Sequence, residues 1–256
     1  MAGEDREYEL RSFGRRRGRK PSDRQEFLKR ELLPQVAMDL RAPPSPLGER
    51  VGVRGWAFGE DVGSPSPHPP LRDTFSPRGE GIPLWLEIGF GGGEHLVWQA
   101  RQNPAVSLIG CEPFEDGVVK VLTAIDQNKL DNIRIHMGDA RDVLRWLPEG
   151  SISRAFILFP DPWPKRKHRK RRLVNPQTLG LLARVMAPGA ELRIGTDIGD
   201  YARTMLLAFK DEPRFRWLAE GPQDWRVRSP DWPETRYEQK AGREGRVRYY
   251  FRWVKE

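Results

Sequence analysis

The sequence predicts a doubly wound α/β domain built on a mostly parallel sheet, preceded by a basic N-terminal extension. Two observations carry this. From Pro83 onward, short apolar runs of strand length alternate with helical segments. The first of those runs ends in clustered glycines, where such a domain makes its first strand-to-helix turn. The length of 256 residues suits one large domain with an appendage better than two enzymatic domains.

Three zones follow in order. Residues 1–42 form a basic arm, with the run Arg15-Arg16-Arg17-Gly18-Arg19-Lys20 and then a short predicted helix from Ser22 to Leu33. Ser22 is its candidate cap and Glu26 stands in its first turns. Residues 43–82 are rich in Pro, Gly and Ser without helical or strand period, which predicts a loop or disordered insert. Residues 83–256 form the catalytic-size domain. Its expected strands are Leu84–Ile88, Val106–Cys111, Ile133–Met137, Arg154–Phe159, Glu191–Thr196 and Val247–Trp253. Expected helices run from the glycine turn to Gln102, over Gly117–Asn128, from the Asn175-Pro176 start to Ala187, and over Asp200–Lys210.

Composition narrows the partner. Lys and Arg outnumber Asp and Glu by 44 to 36, for a net charge of +8 and a pI near 9.8. A polyanion is the expected partner, with nucleic acid ahead of membrane. The lone Cys111 excludes an internal disulfide framework and a cysteine zinc site, and the four histidines lack metal-ligand spacing, so no metal is expected. There is no apolar run long enough to span a membrane and no secretory leader pattern, which implies a cytoplasmic protein.

The glycine turn reads Glu87-Ile88-Gly89-Phe90-Gly91-Gly92-Gly93-Glu94. A dinucleotide fingerprint would need a third glycine where Glu94 stands, and Glu87 and Glu94 would face a pyrophosphate with like charge. S-adenosylmethionine, with its ammonium and sulfonium and no phosphate, suits Glu87, Gly89 and Gly91 better. Glu112 ends the second strand roughly 20 residues beyond the turn, where a carboxylate accepts ribose hydroxyls. Asp139, after the third strand, can accept from the adenine amino group. The plainer reading of Glu112 and Asp139 is that each caps the helix that follows it. Their order after successive strands favours nucleoside recognition.

The fourth strand runs into Phe159-Pro160-Asp161-Pro162-Trp163-Pro164, followed by the eight-residue basic run Lys165–Arg172. Two prolines stiffen that loop, Trp163 offers a stacking face, and Asp161 can accept from guanine N1 and its amino group. A basic run is usually a solvated face; directly after an active-site strand it reads as a phosphate-binding segment. Trp217, Trp225 and Trp232 read as packing residues rather than base platforms.

The segments EIGFGGGEHL, PDPWPKRKHRKRR, GTDIGDYA and TRYE resemble the bacterial tRNA (guanine-N7)-methyltransferase family from about Trp85 to the C-terminus. The resemblance implies a Rossmann-like class I methyltransferase, with a seven-stranded sheet whose last strand is antiparallel. It implies S-adenosylmethionine bound by Glu87, Glu112 and Asp139, with Asp161 as the central active-site carboxylate. It implies tRNA contacts by Lys165, Asp197 and Thr235-Arg236-Tyr237-Glu238, and a target guanine at position 46 of the variable loop. Glu238 is expected beside Asp161 at the guanine, although Thr235 and Glu238 also read as a local cap. The segment 43–82 departs from the family and resembles a translated repetitive element, expected to be mobile and dispensable. Two other readings stay open: another nucleic-acid or protein methyltransferase of this fold, and a non-enzymatic RNA-binding protein with a degenerate pocket. Monomer and homodimer are both compatible with the sequence.

Overall fold

A computed structural model describes residues 20–41 and 82–256. The basic run through Arg19 and almost all of the Pro/Gly-rich insert therefore lie outside the described residues. The chain order in the second part is β1 (Leu84–Ile88), α3 (Glu94–Gln102), β2 (Ser107–Cys111), α4 (Glu115–Asn128), β3 (Ile133–His136), α5 (Ala140–Trp146) and β4 (Ile152–Leu158). A 3₁₀ segment (Arg166–Arg171), α6 (Pro176–Val185), β5 (Met186–Thr196) and α7 (Gly199–Lys210) come next. The chain finishes with β6 (Phe215–Trp217), α8 (Gln223–Arg226), α9 (Arg236–Arg243) and β7 (Tyr249–Lys255).

The seven strands form one sheet in the order β3-β2-β1-β4-β5-β7-β6. Leu86 lies opposite Ile109 of β2 on one side and Ala155 of β4 on the other, both pairings parallel. Strand β7 is antiparallel to β5 and to β6, with Ile194 opposite Phe251. The chain steps outward from β1 to β3, returns to lay β4 beside β1, and steps outward the other way. That reversal opens a crevice at the carboxyl ends of β1 and β4, where open α/β sheets bind ligands.

Each sheet face has its own core. Leu86, Ile88, Ile109 and Ile157 pack with Val143, Leu144, Leu179, Leu182 and Met205 of α5–α7. The opposite core gathers Leu96, Val118, Val121, Leu122 and Ile125 from α3 and α4. Residues 20–41 complete this second core. There the expected helix is α1 (Asp23–Glu31), and an additional short helix α2 (Leu33–Val36) follows it, separated because Pro34 has no N–H to donate back to the preceding turn. Ser22 caps α1 and Glu26 stands in its first turn, both as expected, and Gln25 closes the capping box. Leu28, Leu32 and Val36 are buried against α4 and β3, an association worth about 1.5–3 kcal/mol per fully buried side chain. Lys29 donates to Glu115 at 2.7 Å, and the Met38 N–H reaches the Ile135 carbonyl at 2.9 Å, extending the β3 edge.

The structure differs from the sequence expectation at a few boundaries. Strand β5 begins at Met186 rather than Glu191, and β7 covers Tyr249–Lys255 rather than Val247–Trp253. The three-residue β6 shows no readable period over so short a stretch. Asn175 caps α6 as expected, accepting from the Thr178 N–H at 3.0 Å with Pro176 in the first turn.

Candidate active site

The crevice holds a cavity of about 380 Å³. The carboxyl ends of β1 to β4 supply most of its wall: Ile88 and Gly89, Cys111 and Glu112, Gly138 and Asp139, then Phe159, Pro160 and Asp161. Gly91, Phe114, Leu173 and Tyr237 are also in the wall. Six sequence-predicted site residues, Gly89, Gly91, Glu112, Asp139, Asp161 and Tyr237, thus converge on one cavity. Among the described residues its charged side chains are all carboxylates, with no Lys or Arg in the wall. That donor set suits a ligand with cationic groups and nucleoside hydroxyls, and it is wrong for a phosphate.

Glu112 organises this floor. One carboxylate oxygen accepts from the Gly91 N–H at 2.7 Å and the other from the Phe114 N–H at 2.9 Å. Burial raises its pKa above the ordinary value, while those two N–H donors pull it down. Gly91 needs its φ of +55°, and a Cβ there would stand 3.1 Å from the Tyr237 ring. Gly93 is stricter still, since at φ +80° its Cβ would sit 2.2 Å from the Val121 methyl. Asp139 has two places in this geometry. It lines the cavity, and it caps α5 by accepting from the Arg141 N–H at 3.0 Å while the Arg141 guanidinium grips both its oxygens. Burial opposes ionisation of Asp139, but the Arg141 contacts outweigh it and hold the pKa low.

Glu87 corrects the sequence reading. It is absent from the cavity wall and only 3% exposed, with its carboxylate 2.7 Å from His95 Nδ1. Strand alternation is the cause: Leu86 and Ile88 face the α5–α7 side, so Glu87 faces α3. The neighbouring amide fixes the histidine tautomer. Gln99 Nε2 donates to the Asp231 carbonyl at 2.9 Å, so its second hydrogen points to His95 Nε2 at 3.1 Å. His95 Nδ1 then donates to Glu87.

The loop after β4 is held in unusual backbone geometry, with Phe159 at φ 52° and Trp163 at φ 43°. Asp161 is exposed at the cavity rim. The Arg171 guanidinium lies 3.7 Å over the Trp163 ring, so the expected stacking face carries a cation already. Lys165 is exposed and opens the 3₁₀ segment that carries the basic run. Asp197 pairs with Arg246 at 2.8 Å at the end of β5.

The four residues from Thr235 to Glu238 divide. Thr235 caps α9 and Glu238 closes the capping box, accepting from the Thr235 N–H at 2.9 Å and from the Tyr250 hydroxyl at 2.9 Å. Glu238 is 0% exposed, so the expectation that it meets the guanine beside Asp161 does not hold in this geometry; the local cap does. Tyr237 instead lies over the glycine turn in the cavity wall, and Arg236 is half-buried beside it, 3.5 Å from Glu94. Trp232 is buried at 1% exposure, as a packing residue should be; Trp225 stacks on Tyr249, and Trp217 stacks on Trp253 though 37% exposed.

Sequence reasoning passed over His95, Gly117 and Phe114. His95 and Gln99 share one helix face at i and i+4, a readable signal. Gly117 admits the Gly91 carbonyl, which would lie 2.1 Å from any Cβ there. Among the described residues no group of three or more His, Cys, Asp and Glu is placed to hold a metal ion, and no helix is long and apolar enough to cross a membrane.

Comparison with known proteins gives a consistent result. A family model described as "Putative methyltransferase" matches residues 82–251. The tRNA (guanine-N(7)-)-methyltransferase of Roseobacter denitrificans is 53% identical over 179 residues, covering 69% of this chain and 76% of its own. The enzyme of the same name from Paracoccus denitrificans is 49% identical, covering 78% and 88%. That of a Jannaschia species is 44% identical, covering 95% of this chain and 93% of its own.

Removing the His95 ring leaves the Glu87 carboxylate buried without its donor. His95→Ala is therefore expected to lower stability by about 3–5 kcal/mol in urea unfolding, and a loss below about 1 kcal/mol would contradict the burial described here.

Proposed function

This chain belongs to the tRNA (guanine-N(7)-)-methyltransferase family, and on that premise we propose S-adenosylmethionine as its methyl donor and the guanine at position 46 of the tRNA variable loop as its target. It is a methyltransferase acting on N7 of a guanine in tRNA. The observation that carries the donor is the cavity wall, which brings Glu112, Asp139 and Asp161 together without a cationic side chain. Glu112 keeps a free lone pair on each oxygen beyond its two N–H bonds, enough to accept two ribose hydroxyls. Asp139, anchored by Arg141, presents an acceptor for the adenine amino group. Gly89 and Gly91 let the backbone approach the methionine portion. Tyr237 covers it from above the turn. Glu87 supports this floor from below, through His95, rather than touching the donor.

The donor supplies an electrophilic methyl group on a sulfonium. Guanine N7 has a free lone pair at neutral pH, so no residue has to remove a proton to create the nucleophile. The work of the protein is alignment, and stabilisation of the positive charge that appears on the purine as the N–C bond forms. Asp161 stands at the rim where it can accept from guanine N1–H and the amino group and offset that charge. Lys165 and the basic 3₁₀ segment hold tRNA phosphates. Arg236, beside Tyr237 and Glu94, adds a further cation for the RNA, and Asp197, paired with Arg246, is proposed to meet it as well. A cytoplasmic setting follows from a tRNA substrate.

Two outcomes test this reading. With methyl-labelled donor and paired transcripts carrying guanine or adenine at position 46, label should appear as 7-methylguanosine in the guanine transcript alone. Label in both transcripts would move the target, and none in either would favour an RNA-binding protein without activity. Asp161→Asn should keep donor affinity within about twofold in calorimetry while losing at least about 10²-fold in turnover. Undiminished turnover would remove Asp161 from the reaction.

A further inference from the structure

The loop that carries Asp161 has two non-glycine residues at positive φ, Phe159 and Trp163, within five positions. Such geometry costs about 1–3 kcal/mol per residue and persists only where the surroundings over-determine it. Pro160, Pro162 and Pro164 offer no N–H for anchoring. The Phe159 N–H holds the start of the loop, donating to the Gly195 carbonyl at 2.7 Å, and farther along one buried cation takes the Pro162 carbonyl.

Arg172 is 2% exposed. Its Nε donates to the Pro162 carbonyl at 3.0 Å, in the residue directly after Asp161. One terminal nitrogen donates to the Thr204 hydroxyl at 2.6 Å, and the other to the Asp200 carboxylate. Its guanidinium lies 4.7 Å over the Tyr201 ring, and the Tyr201 hydroxyl accepts in turn from the Val174 N–H at 3.0 Å. Asp200 and Thr204 stand one turn apart on α7. Arg169 reaches the second Asp200 oxygen at 3.1 Å, so the basic 3₁₀ segment is tied to the same helix. The Arg172 contact holds Asp200 below the ordinary carboxylate pKa, so the pair is ionic at neutral pH.

We propose that Arg172 is a positioning residue for methyl transfer: with Asp200 and Thr204 it fixes the Pro162 carbonyl, and hence the place of Asp161 and Trp163, relative to the sheet. The inference rests on Asp161 acting at the guanine. Its fork is essential to the task, because three directions of hydrogen bonding from one planar group define the loop's distance and its rotation together. A lysine ammonium is a point charge that can keep Asp200 but not the Pro162 carbonyl at the same time. Most of the residues proposed to hold the donor, Gly89, Gly91, Glu112 and Asp139, are on the ends of β1 to β3, so a misplaced loop should cost turnover far more than donor binding.

The test compares Arg172→Lys, Thr204→Val, the double variant and Asp161→Asn in the full-length protein, measuring kcat on tRNA, KM for tRNA and donor affinity by calorimetry. Arg172→Lys is expected to lose about 10²-fold in kcat, the scale of an ångström's misplacement, with donor affinity within twofold of wild type. Thr204→Val should lose several-fold in kcat, and adding it to Arg172→Lys should cost little more, since both act on one bond network. Unchanged kcat in Arg172→Lys, or a parallel fall in kcat and donor affinity, would overturn the proposal. If Arg172→Lys does not fold, Thr204→Val decides alone: a kcat loss with donor affinity retained supports the role, and an unchanged kcat overturns it. Full turnover in Asp161→Asn would instead show that the premise about Asp161 is wrong.

Discussion

The carboxylate of Glu112 is the constraint on which the site depends. Its two oxygens accept from Gly91 and Phe114, so a single side chain at the end of β2 fixes both the turn after β1 and the entry to α4. Such charge-assisted bonds to backbone N–H groups are about twice as strong as neutral ones. The glycine turn can then stay open at a left-handed backbone angle, Gly117 can approach the Gly91 carbonyl, and Tyr237 can lie across the turn. Burial works against the charge and keeps the pKa raised, with the two N–H donors offsetting only part of it.

Around that point the charges separate. The described cavity wall is acidic, with Glu112, Asp139 and Asp161, whereas a run of cations follows the Asp161 loop on the 3₁₀ segment. A positively charged donor and a polyanionic RNA are thereby drawn to neighbouring but distinct surfaces. The sheet's reversal between β1 and β4 makes this possible, because strands leaving the switch point in opposite directions end beside one another. Asp139 is on one side of the switch and Asp161 on the other, although 22 residues apart along the chain.

Much of this was legible because strand ends are read in order. Gly89, Gly91, Glu112, Asp139 and Asp161 each follow an apolar run, and a parallel sheet brings the residues after its strands together. Glu87 was misplaced because it belongs to the strand rather than to the turn, and alternation hands it to α3. The partner that receives it, His95, has no signature beyond a position four residues before Gln99. Glu238 shows the opposite failure. The Thr-x-x-Glu spacing announced a capping box, and burial beneath Tyr250 and Arg228 leaves it no face for a substrate. Pairing decided these cases, and pairing between distant elements is invisible in a single sequence. The break between α1 and α2 was, by contrast, readable from Pro34.

The most direct measurement is calorimetric titration of S-adenosylmethionine into wild type and Glu112→Gln. The substitution keeps shape but turns one acceptor into a donor, which must then face either a backbone N–H or a ribose hydroxyl. An affinity loss of about tenfold or more, roughly 1.4 kcal/mol, with the fold retained is the expected result. Equal affinity in the two proteins would mean that the donor is not held over Glu112, and the site as described would be wrong.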